Sequence, residues 1–208
     1  MKNFVVLGPP GSGKDTQIEE LEKYIDLQVL SAGDIARGLA EKNDKYRKQV
    51  EAGELLDDNI MLKEISKVID KILPGKGIVF DGFPRNLHQA EVLNELLIHH
   101  GRNLDKVIYI SLEEDVIVKR LTQRKICSIC GHNIIPGTHK CSECGGRPVR
   151  RQDDEPAVII KRVQTFLENT LQLVNYYRNR GIMLEVDGNQ SIIKVAKDIK
   201  EGLGNDGK

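Results

Sequence analysis

The chain runs Asn3-Phe4-Val5-Val6-Leu7 and then Gly8-Pro9-Pro10-Gly11-Ser12-Gly13-Lys14-Asp15-Thr16. An apolar run, a glycine-rich turn and the opening of a helical pattern, in that order, constrain the fold more than any other feature. Glycines let backbone N–H groups converge on an anion with no Cβ in the way. A helix over residues 13–24 adds its positive dipole end at the same spot. Lys14 contributes a mobile cation suited to the outer phosphates of a nucleotide. Ser or Thr ordinarily follows such a lysine; here Asp15 does, with Thr16 next. A carboxylate among phosphates is repelled, so Asp15 is expected to point away from them.

A strand feeding a loop and then a helix is one half of a βαβ unit, and the rest of the chain repeats the alternation. Further strands are expected at residues 27–30, 77–80, 106–110 and 183–186. Several are continuous apolar runs, as in strands covered on both faces of a parallel sheet. Helical patterns occupy residues 87–99 and 155–180, the latter with apolar positions at helical spacing and Gly181 placed to end it. The reading is an α/β, three-layer fold of the P-loop NTPase type around a central five-stranded parallel sheet. Two stretches interrupt the alternation. Residues 31 to about 72 are helical with no strand between, and residues 125–150 are rich in Cys, Gly and Pro. Both read as insertions over the ligand edge of the sheet, the C-terminal ends of its strands. Asp81 closes the third apolar run at that edge and is placed to hold magnesium through water. The tail, residues 202–208, is expected to fray.

Lys plus Arg equals Asp plus Glu at 31 each. A chain with no basic excess is a poor general binder of nucleic acid or of anionic membranes. The first apolar run is too short for a signal peptide or a span, and no later stretch nears 18 apolar residues. Cys127-Ser128-Ile129-Cys130-Gly131 and Cys141-Ser142-Glu143-Cys144-Gly145 form two Cys-x-x-Cys-Gly knuckles. Such clustering points to metal rather than to a disulfide framework, and so to an intracellular, cytoplasmic chain. Four thiolates suit a closed, structural zinc site, with iron the other candidate. His132 and His139 read as surface residues beside it.

With these residues placed, the chain resembles the adenylate kinase family of nucleoside monophosphate kinases along nearly its whole length. Lys14-Asp15-Thr16-Gln17 stands where that family usually has Lys-Gly-Thr-Gln. Ser31-Ala32-Gly33-Asp34-Ile35-Ala36-Arg37 resembles its segment at the monophosphate site. Asp81-Gly82-Phe83-Pro84-Arg85, with Gln89 beyond, is similar to its signature almost letter for letter. Arg120 and Arg124 match the pair before the lid, and Arg151-Gln152-Asp153-Asp154 with Arg162 the stretch after it. The resemblance implies transfer of a phosphoryl group from Mg·ATP to a nucleoside monophosphate, with small-molecule nucleotides as partners and a monomeric state. ATP would meet Gly8, Pro10, Gly11, Ser12, Gly13, Lys14, Asp15, Thr16, Arg120, Arg124 and Arg151. The monophosphate would meet Ala32, Arg37, Leu55, Leu56, Gly82, Arg85, Gln89 and Arg162. Lys14, Arg85, Arg124 and Arg162 would act on the transferring group, and Asp34 and Asp81 on magnesium-bound water. The implied division is a core of residues 1–30, 61–124 and 154–208, a monophosphate-binding insertion of residues 31–60, and a metal-binding lid of residues 125–153.

Two positions bear on the monophosphate. Ala32 stands where adenylate kinases usually have Thr and resembles the UMP/CMP enzymes. Gln89 matches the adenylate kinase glutamine, whose amide offers donor and acceptor together, as adenine's N6/N7 edge requires. AMP is the favoured acceptor, with UMP or CMP the alternative.

Overall fold

Residues of the first strand alternate between two cores, and that alternation builds the layers. Phe4 and Val6 face one side and Val5 and Leu7 the other, and all four are buried. The structure is a computed structural model describing residues 2–134, 137–151 and 154–204. In chain order the first part comprises β1 (Asn3–Leu7), α1 (Lys14–Glu22), β2 (Leu27–Ser31), α2 (Ala32–Ala40), α3 (Asp44–Glu51), α4 (Asp58–Ile69), β3 (Gly77–Asp81), α5 (Leu87–His99) and β4 (Lys106–Ser111). Then follow α6 (Glu114–Gln123), β5 (Lys125–Cys127), β6 (Asn133–Ile134), β7 (Pro148–Arg150), α7 (Pro156–Thr165), α8 (Gln172–Asn179), β8 (Met183–Asp187) and α9 (Ile192–Gly204).

The five long strands form one parallel sheet in the order β2-β3-β1-β4-β8, the expected fold. Leu30, Phe80, Leu93, Leu97 and Tyr177 pack with Val5 and Leu7 beneath α4, α5 and α8. On the opposite face Ile18, Leu21, Val195, Ile199 and Leu203 bring α1 and α9 against Phe4, Val6 and Ile108. Hydrogen bonding extends four of the strands one residue past the expected ends, to Ser31, Asp81, Ser111 and Asp187.

Two helices differ from expectation. Gly13 has φ 89°, a left-handed value, so it precedes α1 rather than starting it. The long pattern of residues 155–180 is broken at Phe166–Thr170 by a π turn, in which Leu171 N–H donates to Phe166 O at 2.9 Å. One residue is thereby wound into a wider turn. The cysteine-rich insertion, read from sequence only as poor in core residues, carries a three-stranded antiparallel sheet, β6-β5-β7. Gly202–Gly204 finish α9 rather than fraying, while the rest of that expected tail lies outside the described residues. Among the described residues no helix is long and apolar enough to cross a membrane.

Candidate active site

The loop after β1 folds back on itself through Ser12 N–H, which donates to Pro9 O at 3.1 Å. Gly11 and Gly13 both have positive φ, and a Cβ on Gly8 would lie 2.6 Å from Ser12 Oγ and 2.7 Å from Ile110 O. The loop therefore takes this shape only with glycine at those places. Among the described residues no side chain caps α1, which leaves its first N–H groups to an anion. Lys14 Nζ lies across the loop, donating to Gly8 O and Pro9 O at 3.0 and 3.1 Å. Burial pulls the lysine below its ordinary pKa, and the charges of Asp81 and Asp15 oppose that pull.

Asp15 turns from the loop toward the cysteine-rich sheet, where Asn133 Nδ2 donates to its Oδ2 at 2.6 Å. A second contact, His132 Nδ1 to Glu19 Oε1 at 3.4 Å, joins the same two elements. Asp81 ends β3 with Oδ1 buried and, among the described residues, without a hydrogen-bond partner. Burial and the nearby Asp15 charge raise its pKa.

A cleft of about 900 Å³ opens over this edge of the sheet, lined by the loop, Thr16, Asp34, Asp81 and the arginines Arg37, Arg85, Arg120, Arg124, Arg151 and Arg162. The six arginines are spread over α2, the end of α6, α7 and the loops between elements. Arg85 Nε donates to Gly82 O at 2.6 Å, and Arg120 Nη2 to Gly188 O at 2.8 Å. Arg37 pairs with Asp34 at 2.5 Å, which engages a carboxylate expected to meet magnesium-bound water. Arg124 grips Asp154 with a fork, Nε and Nη2 to its two oxygens at 2.7 and 2.6 Å, and Arg162 reaches the same carboxylate at 3.2 Å. Asp154 is fully buried. Sequence reasoning placed Asp154 in a matched stretch but gave it no role, and its neighbours Gln152 and Asp153 lie outside the described residues. Thr170, also unforeseen, donates Oγ1 from the π turn to Arg85 O at 3.0 Å.

A smaller pocket of about 120 Å³ adjoins the cleft. Ala32, Leu55, Leu56, Met61, Phe83 and Gln89 line its apolar end, and Arg37, Arg85, Arg151 and Arg162 line both spaces. The two spaces thus meet at a wall of cations. All residues expected to meet a nucleotide are brought to this edge except Gly8, Leu55, Leu56, Ala32 and Gln89, which line only the loop's inner side or the smaller pocket.

The four cysteine sulfurs lie within 4.8 Å of one another. Individual Sγ–Sγ separations of 3.3, 3.6 and 3.3 Å approach the ~3.8 Å edge of a tetrahedron with metal–sulfur bonds of ~2.3 Å. The two knuckles are built alike. Gly131 N–H donates to Cys127 O and Gly145 N–H to Cys141 O, each at 3.0 Å, and both glycines have φ 73°. Gly146 passes so close to Cys127 that a Cβ there would be 2.4 Å from Sγ. Backbone N–H groups of Cys130 and Ile129 hold the Cys127 thiol down to about 6. At Cys130 the backbone N–H of His132 pulls the same way, but the crowding sulfurs of Cys144, Cys127 and Cys141 push the thiol up to about 12, the opposition expected where four thiols share one site. The donor set fits a structural metal.

A loop shaped for a nucleotide's outer phosphates, sharing a cation wall with a second, smaller pocket, defines a nucleotide phosphotransferase. A model of the adenylate kinase family matches residues 6–182. An adenylate kinase of Dehalococcoides mccartyi is 37% identical over 212 residues, covering 98% of each chain. Those of Caldanaerobacter subterraneus and Archaeoglobus fulgidus are 35% and 34% identical, covering 97% and 95% of this chain and 96% of each relative. The chain belongs to the adenylate kinase family, and with it to the nucleoside monophosphate kinases.

Proposed function

We propose that this protein transfers the γ-phosphoryl group of Mg·ATP to AMP, giving two ADP, and does so reversibly. The observation that carries this reading is the pair of spaces, one at the phosphate loop and one beside Gln89, joined by shared arginines. Phosphoryl transfer needs the two nucleotides in line and charge neutralised on the moving oxygens. The attacking phosphate oxygen of AMP is already ionised, so the chain need supply no general base. ATP's phosphates lie on the loop N–H groups, with Lys14 leaving its carbonyls to meet them. Arg37 and Arg85 hold the AMP phosphate. Arg120 and Arg151 meet ATP, and Arg124 and Arg162 surround the transferring group. The orphaned, buried Asp81 Oδ1 suits a magnesium-bound water, and Asp34 stands on the same cleft. Magnesium, when bound with ATP, supplies further neutralisation of phosphate charge.

In this reading residues 31–60 close over AMP and residues 125–153 are a lid over ATP, stapled by zinc through Cys127, Cys130, Cys141 and Cys144. Zinc there is structural, because protein sulfur fills all four positions. The enzyme is proposed to be cytoplasmic and to act as a monomer.

The test is ADP formation from Mg·ATP with AMP, dAMP, GMP, UMP and CMP offered singly to zinc-loaded protein. A strong preference for AMP is expected. A preference for UMP or CMP overturns the named acceptor and makes Ala32 the better guide. Transfer to none overturns the kinase reading.

A further inference from the structure

Gln89 is 2% exposed and lines the smaller pocket, yet both ends of its side-chain amide are already held. Oε1 accepts from the backbone N–H of Arg85 at 2.7 Å, and Nε2 donates to Asp58 Oδ1 at 2.6 Å. Asp58 opens α4 directly after its N-cap, Asp57. Asn86 Nδ2 anchors the Asp58 carboxylate, reaching its two oxygens at 3.2 and 2.9 Å, while Asn86 Oδ1 accepts from Gln89 N–H at 2.8 Å. Asp58, Asn86 and Gln89 thus form a closed ring that ties α4 to the start of α5.

The chemistry of the two holders removes a freedom that amides ordinarily keep. A backbone N–H only donates and a carboxylate only accepts. Turning the Gln89 amide over would set its oxygen against Asp58 Oδ1 and its NH₂ against the Arg85 N–H. Both contacts would then be repulsive, so one orientation prevails. Each end retains one further valence, a lone pair on Oε1 and one N–H on Nε2.

We propose that Asp58 is a specificity-determining residue, acting through Gln89 by fixing which end of the amide meets each atom of the base. The proposal rests on the AMP reading above. A 6-amino group donates to the fixed Oε1, beside a ring nitrogen that accepts from Nε2. A 6-oxo purine brings acceptor against acceptor at the first of these contacts. Asp58 therefore selects adenine over hypoxanthine or guanine without touching the base. Were its role only to join two helices, its loss would weaken the fold and leave that choice unchanged.

The experiment compares AMP with IMP, which exchanges the amino group for an oxygen, using the full chain at saturating Mg·ATP. Asp58→Asn keeps size and shape but can donate as well as accept, which removes one of the two contacts that fix the amide and leaves only the Arg85 N–H to hold it. KM for AMP is expected to rise about tenfold with a smaller change in kcat. The AMP-over-IMP ratio of kcat/KM is expected to fall about tenfold, equivalent to ~1.4 kcal/mol. Asp58→Ala, which removes the acceptor outright, moves both readings in the same direction. In a Gln89→Ala background Asp58→Asn leaves the ratio where it is, since the two residues act as one unit. An unchanged ratio in folded Asp58→Asn, or an equal fall without Gln89, overturns the proposal. So does a wild-type enzyme that prefers IMP. A wild type that phosphorylates no monophosphate instead overturns the kinase reading on which the proposal rests.

Discussion

Two carboxylates flank Lys14, and the same loop affects them in opposite senses. Burial pushes Asp15 up, but the Lys14 charge, the Asn133 hydrogen bond and the charges of Arg124 and Arg151 outweigh it, leaving the group below its ordinary value. Asp81 also feels burial first, and the Asp15 charge adds to it. Lys14, Arg85 and a Ser31 hydrogen bond offset them only in part, so Asp81 lies above its ordinary value. The sign for stability follows from proton linkage. Between its unfolded pKa of ~3.9 and its raised folded value, folded Asp81 binds more protons than unfolded, so its contribution declines as pH rises through that window. At neutral pH the ionised group therefore destabilises the ligand-free protein, a cost that the proposed role beside magnesium-bound water explains. Asp81→Asn is expected to melt higher than wild type at pH 7, with the difference vanishing near pH 4, while turnover falls ~10²-fold or more. Scanning calorimetry at the two pH values, with a kcat measurement, checks this. A variant that melts lower at pH 7 contradicts it.

Among the elements, those that carry the sheet were legible because their residues obey a period. β1, β3 and β4 are apolar runs covered on both faces, and α5 follows a helical stripe to its end. The phosphate loop was legible because glycine positions and a lysine leave few alternatives. What sequence did not disclose depends on partners distant in the chain. The strands β5, β6 and β7 have two or three residues each, too few for alternation to register, and knuckle turns set their pairing. The π turn keeps apolar spacing on both sides, so no break in pattern marks it. Nothing near Asp154 in sequence foretells that it is fully buried under Arg124 and Arg162, and the Asp58 ring joins residues about 30 positions apart. Asp154 is a positioning residue, since its contacts go to arginines and not to the cleft. Replacing it with Asn leaves two guanidinium groups against a neutral acceptor that is itself fully buried. Removing one partner of such a buried pair costs ~3–5 kcal/mol. Asp154→Asn should melt several degrees lower and also lose turnover at temperatures where it remains folded, because Arg124 and Arg162 are no longer aimed. A variant with wild-type kcat and only a lowered melting point would make Asp154 purely structural.

At the scale of the whole molecule, the cysteine-rich insertion has its own three-stranded sheet and its own small core. Among the described residues its buried apolar core is Cys127, Ile134 and Cys141, far too little to fold on its own. Beyond its chain connections it meets the core where Asn133 reaches Asp15 and His132 reaches Glu19. At its ends Arg124 and Arg150 both hydrogen-bond to Asp154, the first to the side chain and the second to the backbone carbonyl. A lid so built should move as one rigid piece, with bending confined to those ends, provided the four sulfurs are tied together. Metal stripping removes that tie. Folding free energy held in a structural metal site is lost with the metal. For a chain of this size each kcal/mol shifts the melting point by ~2–4 °C, so a loss of a few kcal/mol lowers it by on the order of 10 °C. In the proposed mechanism, chemistry at the cleft uses loop N–H groups, Lys14 and arginines, none of which is among the four cysteines. Turnover measured well below melting is therefore expected to fall by a smaller factor, through a lid that closes less cleanly over ATP. Chelation followed by circular dichroism melts and kcat at 25 °C tests this, with zinc added back as the control. If stripped protein stays folded at 25 °C yet loses turnover as completely as it loses thermal stability, the metal acts at the chemical step and the rigid-lid account is wrong.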